Sequence, residues 1–454
     1  MPHVRRTRPL LLQGKAELPA EGLRVEIAVI GGGLAGSEAA FQIARMGGRA
    51  RLYEMRPLSY TPAHKTDCLS ELVCSNSLKS NEPTNAHGLL KAELRLLGSL
   101  IIGAADLCAI PGGKALVVDR GRFAQRITDL ILGDPRIKVV REEVKALPDE
   151  GIVIIATGPL TAADLSCLIG KITGEENLHF FDALSPIIDG ESIDMSAAFF
   201  AARYSPDGAD YLNCPLTKEE YDIFYDALCA ARRVELRGFE ETPYFEGCLP
   251  VEVMAERGRR TLLFGPMKPV GLLDARTGKR PYAVMQLRRE DAAGTMYNMV
   301  GFQTKLTHSE QERVFRLVPA LRGARFFRYG SIHRNTFINA PSVLAGLQLK
   351  TEGRIFFAGQ ITGVEGYVES AAMGLLAGLA ALYYERGKTF TPPPPDTCTG
   401  ALYRYIGTER KNFQPMNINF GLVEGYNKRK KPGVAEKALS AIAEWGSKVG
   451  RDLK

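Results

Sequence analysis

The feature that most constrains this chain is Gly31-Gly32-Gly33-Leu34-Ala35-Gly36, set between an apolar run and a helical pattern. Val25–Ile30 (VEIAVI) is short and largely apolar, the pattern of a buried strand. After the turn, Ala39, Ala40, Ile43 and Ala44 recur at helical spacing through Ser37–Met46, and Gly47-Gly48 ends the helix. Ala50–Tyr53 is a second strand, so the whole predicts a β-α-β unit. The glycines match GxGxxG. Gly31 permits the tight turn, Gly33 lets the backbone approach a pyrophosphate, and Gly36 lets the helix pack close on the strand. The helix N-terminus then presents free N–H groups and the positive end of its dipole. Glu54 ends the second strand, 23 residues after Gly31, where a carboxylate accepts ribose hydroxyls.

A later segment selects the dinucleotide. Arg354–Phe357 (RIFF) is again a buried strand, followed by Gly359-Gln360-Ile361-Thr362-Gly363-Val364-Glu365-Gly366 and an Ala/Gly-rich helix from about Tyr367. A second glycine-rich strand-to-helix junction suits FAD, whose ribityl chain and isoalloxazine reach a second helix N-terminus. A domain for NAD alone has no need of it. Ile152–Ile155 runs into Ala156-Thr157-Gly158, a third strand end passing the cofactor.

These pieces predict an α/β chain, a Rossmann-type FAD domain carrying an inserted α+β domain. Residues 25–180 and 325–454 form the discontinuous FAD domain. Residues 181–324, rich in Tyr and Phe with short alternating pieces, form the insertion. Residues 1–24, with three prolines and no sustained period, read as a disordered basic arm, and the four prolines 392–395 as a stiff linker. Composition is that of an ordinary globular protein. No apolar run approaches the roughly 18 residues of a membrane span. Gly374–Tyr384 therefore reads as a buried helix.

Charge is uneven. Of the net +7, residues 1–24 hold +3 and residues 401–454 hold +6, leaving −2 between them. Basic ends on a near-neutral body suit a polyanionic partner or solvated tails. The eight cysteines include no CxxC, and six histidines form no zinc-type cluster, so no metal is expected. No signal-peptide core precedes the fold. A reducing cytoplasm and free thiols are the expectation, most of them small core residues. Cys74 stands out modestly, because Val-Cys-Ser-Asn-Ser is a polar turn able to expose a thiol.

The sequence resembles the TrmFO family of folate- and FAD-dependent tRNA (uracil-5-)-methyltransferases. The resemblance rests on GGGLAGSEAA (31–40), YEMRP (53–57), ELVCSNSLKS (71–80), FEGCLPVE (245–252), LLFGPMKPVGL (262–272), HRNTFINAP (333–341), AGQITGVEGYVESAAMG (358–374) and FQPMNINFGL (413–422). The related GidA family shares the AGQ…G..GY segment, but its members are longer. The resemblance implies transfer of the methylene of 5,10-methylenetetrahydrofolate to C5 of uridine 54 in the tRNA T-loop, with electrons from FAD reduced by NADPH or NADH. It implies Cys248 and Cys74 as catalytic cysteines, which of them attacks uracil being open. It puts His333, Arg334, Asn335 and Tyr367 in the folate pocket. Arg276, Lys279, Arg280, Arg288 and Arg289, with Lys428–Lys431, are candidates for tRNA phosphate contacts. Two rival readings remain at this point: an NAD(P)H oxidoreductase on a small molecule, and a tRNA-binding flavoprotein without catalysis.

Overall fold

A seven-stranded sheet carries the β-α-β unit at its centre. A computed structural model describes residues 25–175, 178–203, 209–234, 249–410, 413–426 and 431–453. The expected arm at 1–24, Cys248 and Lys428–Lys430 lie outside the described residues. Strand β1 (Glu26–Ile30) leads into helix α1 (Leu34–Arg45) and strand β2 (Arg49–Glu54), and β1 and β2 pair in parallel. Val153–Ile155 pairs parallel to the other edge of β1, Ile355–Phe357 extends the sheet beyond it, and Ile137–Arg141 flanks β2. The inner parallel segments Ile27–Ile30, Val153–Ile155 and Ile355–Phe357 are apolar and buried because both faces are covered. Their carboxyl ends lie together, the side on which open α/β sheets bind ligands.

The helix Tyr367–Glu385 crosses behind this edge, buried from Val368 to Tyr383. It touches α1 backbone to backbone. A Cβ on Gly374 would lie 2.2 Å from the Ala35 carbonyl oxygen, and one on Gly378 would lie 2.7 Å from that of Ala39. Glycines one turn apart thus seat one helix against the other and hold their two N-termini near one another.

A second, six-stranded antiparallel sheet runs Phe199–Ala201, Tyr211–Leu216, Ala283–Arg289, Met296–Met299, Ile187–Asp189, Phe326–Arg328. It has its own core, including Tyr221, Phe224, Phe302 and Phe315. Its last strand falls just beyond the 324 boundary expected from composition, because pairing with Ile187–Asp189 draws it in. The two passages between the cores, Leu178–Ala183 and Ile332–Phe337, pair antiparallel with each other.

Two buried glutamates fasten helices to the first core. Glu38 on α1 accepts from Ser99 Oγ (2.6 Å) and the Ile101 N–H (3.0 Å), at the start of the helix Leu100–Leu107. Glu93, on the helix Ala86–Leu96, accepts from the N–H groups of Cys398 (2.7 Å) and Thr399 (2.8 Å), at the start of the helix Cys398–Gly407. The proline run, expected as a stiff linker, packs into this joint. Pro393 is buried, and the Pro394 carbonyl accepts from Thr397 Oγ1 at 2.7 Å.

Candidate active site

Each glycine of the first turn has its own reason to be there. Gly31 sits at φ +104°, and a Cβ on it would lie 2.7 Å from the Ala156 carbonyl oxygen. A Cβ on Gly36 would overlap the Gly31 carbonyl at 1.8 Å. One on Gly33 would enter open space, the approach a pyrophosphate needs. Gly33 is the N-cap of α1, where no side chain caps the helix and no acid stands in the first turn. Leu34 and Ala35 are buried within that turn. Its N–H groups are thereby left for a ligand.

Glu54 faces this turn and accepts the Gly32 N–H at 3.1 Å. Arg56 grips the same carboxylate through Nε (2.9 Å) and Nη2 (3.0 Å), and also reaches Glu71 at 3.1 Å. Burial alone would raise the Glu54 pKa, but hydrogen bonds and charge from Arg56 outweigh it and hold the carboxyl below its usual range. The Glu54 carboxylate is thus already engaged by a buried arginine that sequence reasoning passed over, although Arg56 stands in the YEMRP segment. His64, with Thr61 Oγ1 at 2.6 Å from its Nδ1, is pushed down to about 4 by burial and Arg56. These residues, with Gly31–Gly33, Thr157 and Thr161, line a cleft of about 90 Å³.

Leu160 lines that cleft and also a second cavity of about 450 Å³. The second cavity gathers Cys74, Lys79, Asn298, His333, Asn335, Gln360, Glu365 and Tyr367. Gly359 (φ +81°), Gly363 (φ +84°) and Gly366 (φ +120°) shape its approach, and Gly366 is the uncapped N-cap of the long helix. Ala156 closes its strand in the core, and Gly158 (φ +68°) turns the chain away.

Segment 72–77, which carries Cys74, is held from several sides. The N–H groups of Cys74 and Ser75 donate to the Tyr367 hydroxyl at 2.8 and 3.1 Å. Arg328 donates to the Val73 carbonyl (2.8 Å) and Arg288 to Ser75 Oγ (2.7 Å). Arg120 reaches the Leu72 carbonyl and pairs with Glu290 at 2.6 Å. Burial, and then the neighbouring Cys74, push the Tyr367 hydroxyl up, so it keeps its proton.

The strand Ile332–Phe337 supplies the next part of the wall. Alternation turns His333 and Asn335 toward the cavity and Arg334 away from it, exposed beside His179 at 3.1 Å. The expected folate contact from Arg334 is therefore displaced to the other face of the strand. Burial and the Arg328 charge lower the His333 pKa, leaving a neutral ring.

Carboxyl groups crowd another part of the cavity. Glu365 accepts from Gln360 Nε2 at 2.5 Å, and burial and Asp182 raise its pKa well above the usual range, so it holds its proton. Burial would also raise Glu369, but His87 at 3.4 Å and the Lys79 charge outweigh it. Lys79 has φ +62°, uncommon for a residue with a Cβ. The buried Lys91 ammonium holds the carbonyl before it, that of Leu78, at 2.8 Å.

The expected phosphate contacts divide. Arg288 is buried and donates to Asn76 (2.8 Å) and Ser75, so it belongs to the cavity wall. Arg276 is clasped by Asp274 at 2.7 Å. Arg289 lies over the Phe200 ring at 5.2 Å. Lys279 and Arg280 are exposed. Beyond Cys248 the described chain resumes at buried Leu249, and the Val251 N–H donates to the Gln303 carbonyl at 2.7 Å, Gln303 being a wall residue. Among the described residues no cluster of metal-ligating side chains and no membrane-length apolar helix occurs.

The two adjoining cavities, the open space at Gly33 and two uncapped helix N-termini fit an FAD molecule. A family model for glucose inhibited division protein A matches residues 26–389. A Syntrophus aciditrophicus protein named methylenetetrahydrofolate–tRNA-(uracil-5-)-methyltransferase TrmFO is 54% identical over 434 residues, covering 94% of this chain and 98% of that protein. A Bacillus cereus protein of the same name is 56% identical over 403 residues, covering 88% of this chain and 93% of that one. Among solved structures, Aquifex aeolicus GidA superposes with TM-score 0.68 at 16% identity, covering 94% of this chain and 74% of that chain, a likeness of fold.

Proposed function

This chain belongs to the TrmFO family of methylenetetrahydrofolate–tRNA-(uracil-5-)-methyltransferases, and from that premise we propose how its residues divide the work. Its activity is the folate-dependent methylation of C5 of uracil in tRNA. FAD, once reduced by NADPH or NADH, supplies the electrons that turn the methylene of methylenetetrahydrofolate into a methyl group. The target is uridine 54 of the T-loop, and the setting is the cytoplasm.

The cleft beside Gly31–Gly36 holds the dinucleotide, with Glu54 on the ribose. Thr157 lines the same cleft. Gln360 and Glu365 belong to the flavin end. The larger cavity takes the folate, with Tyr367, His333 and Asn335 around the pterin. The observation that carries this reading is that Cys74 lines the same cavity as those residues, and that Leu160 joins that cavity to the dinucleotide cleft. The two hydrophobic cores are read as two domains, the second inserted in the first.

C5 of uracil is a weak nucleophile. Addition of a thiolate at C6 makes an enolate, and C5 can then attack the folate methylene carbon, whose bond to the folate nitrogen breaks so that tetrahydrofolate leaves with the electron pair. Loss of the C5 proton and expulsion of the thiolate restore the ring. We assign the attacking thiol to Cys248 and proton handling beside the flavin to Cys74. Lys279 and Arg280 meet tRNA phosphates.

The test is label transfer. FAD-loaded protein is mixed with NADPH, methylene-labelled methylenetetrahydrofolate and unmodified tRNA transcript, and the digested tRNA is searched for labelled 5-methyluridine. Label at position 54 is expected, lost in Cys248→Ala and Cys74→Ala with FAD still bound. NADPH oxidation without label would overturn the reading.

A further inference from the structure

One wall of the larger cavity comes from the second sheet: Arg288, Asn298, Val300, Gly301 and Gln303. Asn298 lies on the strand Met296–Met299 and is only 3% exposed. Its Nδ2 has no hydrogen-bond partner among the described residues. Its Oδ1 accepts a single long bond, 3.4 Å, from Arg288 Nη2, whose shorter bond goes to Ser75 Oγ at 2.7 Å. A second orphaned amide nitrogen, Nδ2 of Asn335, also 3% exposed, enters the same cavity from the strand Ile332–Phe337. Buried amide groups are nearly always paired, so orphans lining a cavity point to a ligand that pairs them.

Asn298 offers a donor beside an under-used acceptor. The complementary edge is a ring N–H next to a carbonyl. Such an edge is N3–H and C4=O on uracil, and the same pair on the pterin of a reduced folate. We propose that Asn298 reads this cis-amide edge, Nδ2 donating to the carbonyl oxygen and Oδ1 accepting the ring N–H. Arg288 makes the reading directional. By donating to Oδ1 it opposes a flip of the amide, which would turn the NH₂ group onto a guanidinium. Cytosine, with a bare N3 beside an amino group, needs that flipped amide and is rejected. The inference rests on the methyltransferase reading and adds a recognition residue to it.

The test uses FAD-loaded Asn298→Ala and the isosteric Asn298→Asp, which removes the donor while keeping the bond to Arg288. Three quantities are read: dissociation constants for tetrahydrofolate, kcat/KM on tRNA with uridine 54, and kcat/KM on tRNA with 3-methyluridine 54, which lacks the ring N–H. If uracil is the ligand, both variants lose about 10- to 100-fold on uridine 54, as for one bidentate base contact. Tetrahydrofolate affinity then stays within about twofold, and Asn298→Ala erases the wild-type penalty for 3-methyluridine. If the pterin is the ligand, the tetrahydrofolate constant rises by about the same 10- to 100-fold and the 3-methyluridine penalty persists. The proposal is overturned if none of these quantities moves in Asn298→Asp, or if all fall together with FAD occupancy. Wild-type protein that makes no 5-methyluridine would sink the methyltransferase reading instead, while the folate constant still tests Asn298.

Discussion

The Tyr367 hydroxyl accepts two consecutive backbone N–H groups, those of Cys74 at 2.8 Å and Ser75 at 3.1 Å. A phenol at the start of one helix thereby sets the conformation of the loop that carries Cys74. Tyr367→Phe keeps the ring and removes the acceptor, leaving two N–H groups unpaired, at about 1–3 kcal/mol each. Methylation should fall about 10- to 100-fold while FAD occupancy is unchanged. Stopped-flow rates with bound flavin quantified would check this, and a wild-type rate would remove Tyr367 from the positioning of Cys74.

Gly374 sets the distance between the helix Tyr367–Glu385 and α1. A Cβ there would lie 2.2 Å from a backbone oxygen, which cannot rotate away as a side chain could. Gly374→Ala must push the helices apart, against a typical overpacking cost of about 1–3 kcal/mol. Both melting temperature and FAD content after purification should drop. Gly433→Ala, where a Cβ meets nothing, should leave both unchanged and serves as the control.

How far the sequence reveals this site depends on which force sets each residue. The glycine turn is legible because its demands are local: positive φ at Gly31 and close approach at Gly36. Arg288 looks like a surface cation because charge says nothing of burial; only the pairing of strand Ala283–Arg289 carries it against Ser75 and Asn76. Arg334 reads as a ligand contact until strand alternation separates it from His333 and Asn335. Asn298 stands in no motif, and its meaning comes from a cavity assembled by distant segments. Arg56 was within reach, since a buried acid at a strand end needs a partner and Arg56 is two residues on.

The Glu54–Arg56 clasp should be visible in both flavin binding and acid stability. Glu54→Ala removes the proposed ribose acceptor and one of the two carboxylates on the buried Arg56, Glu71 at 3.1 Å remaining, so the cost should fall below the about 3–5 kcal/mol of a fully broken buried pair. FAD should be lost on purification. In the intact protein the Glu54 pKa lies below its unfolded value, so its contribution is complete above the unfolded value and is lost as pH falls through the folded one. Arg56→Met should remove that acid-side component, read from urea midpoints at descending pH. Retained flavin in Glu54→Ala would reject the ribose role.

Lys279, Arg280 and Arg276 are exposed, but Arg276 is already paired with Asp274, and Arg288 is buried against Asn76. If both meet phosphates, the Lys279→Ala/Arg280→Ala double variant should flatten the log–log salt dependence of tRNA binding by about 1.5–2 units. Filter binding from 50 to 200 mM salt resolves this. An unchanged slope would move the tRNA footprint elsewhere on the surface.

Glu93 gives stability an unusual direction with pH. Burial is the dominant influence and raises its pKa from 4.5 to about 7, against the hydrogen bonds from Thr399 and Cys398 that favour the ionised form. A carboxyl with a higher pKa in the folded chain binds more proton when folded. Its contribution to stability is therefore greatest below about 4.5, declines as pH rises toward about 7, and is level above that. Glu38, buried beneath the neighbouring helix, shifts the same way and adds to the decline. Glu93→Gln keeps an acceptor for the helix Cys398–Gly407 and has no proton to lose. Urea midpoints measured between pH 4.5 and 7 should fall less steeply in the variant than in the parent. Parallel curves would mean that Glu93 ionises freely in the folded protein, and that its helix cap is held as a carboxylate throughout.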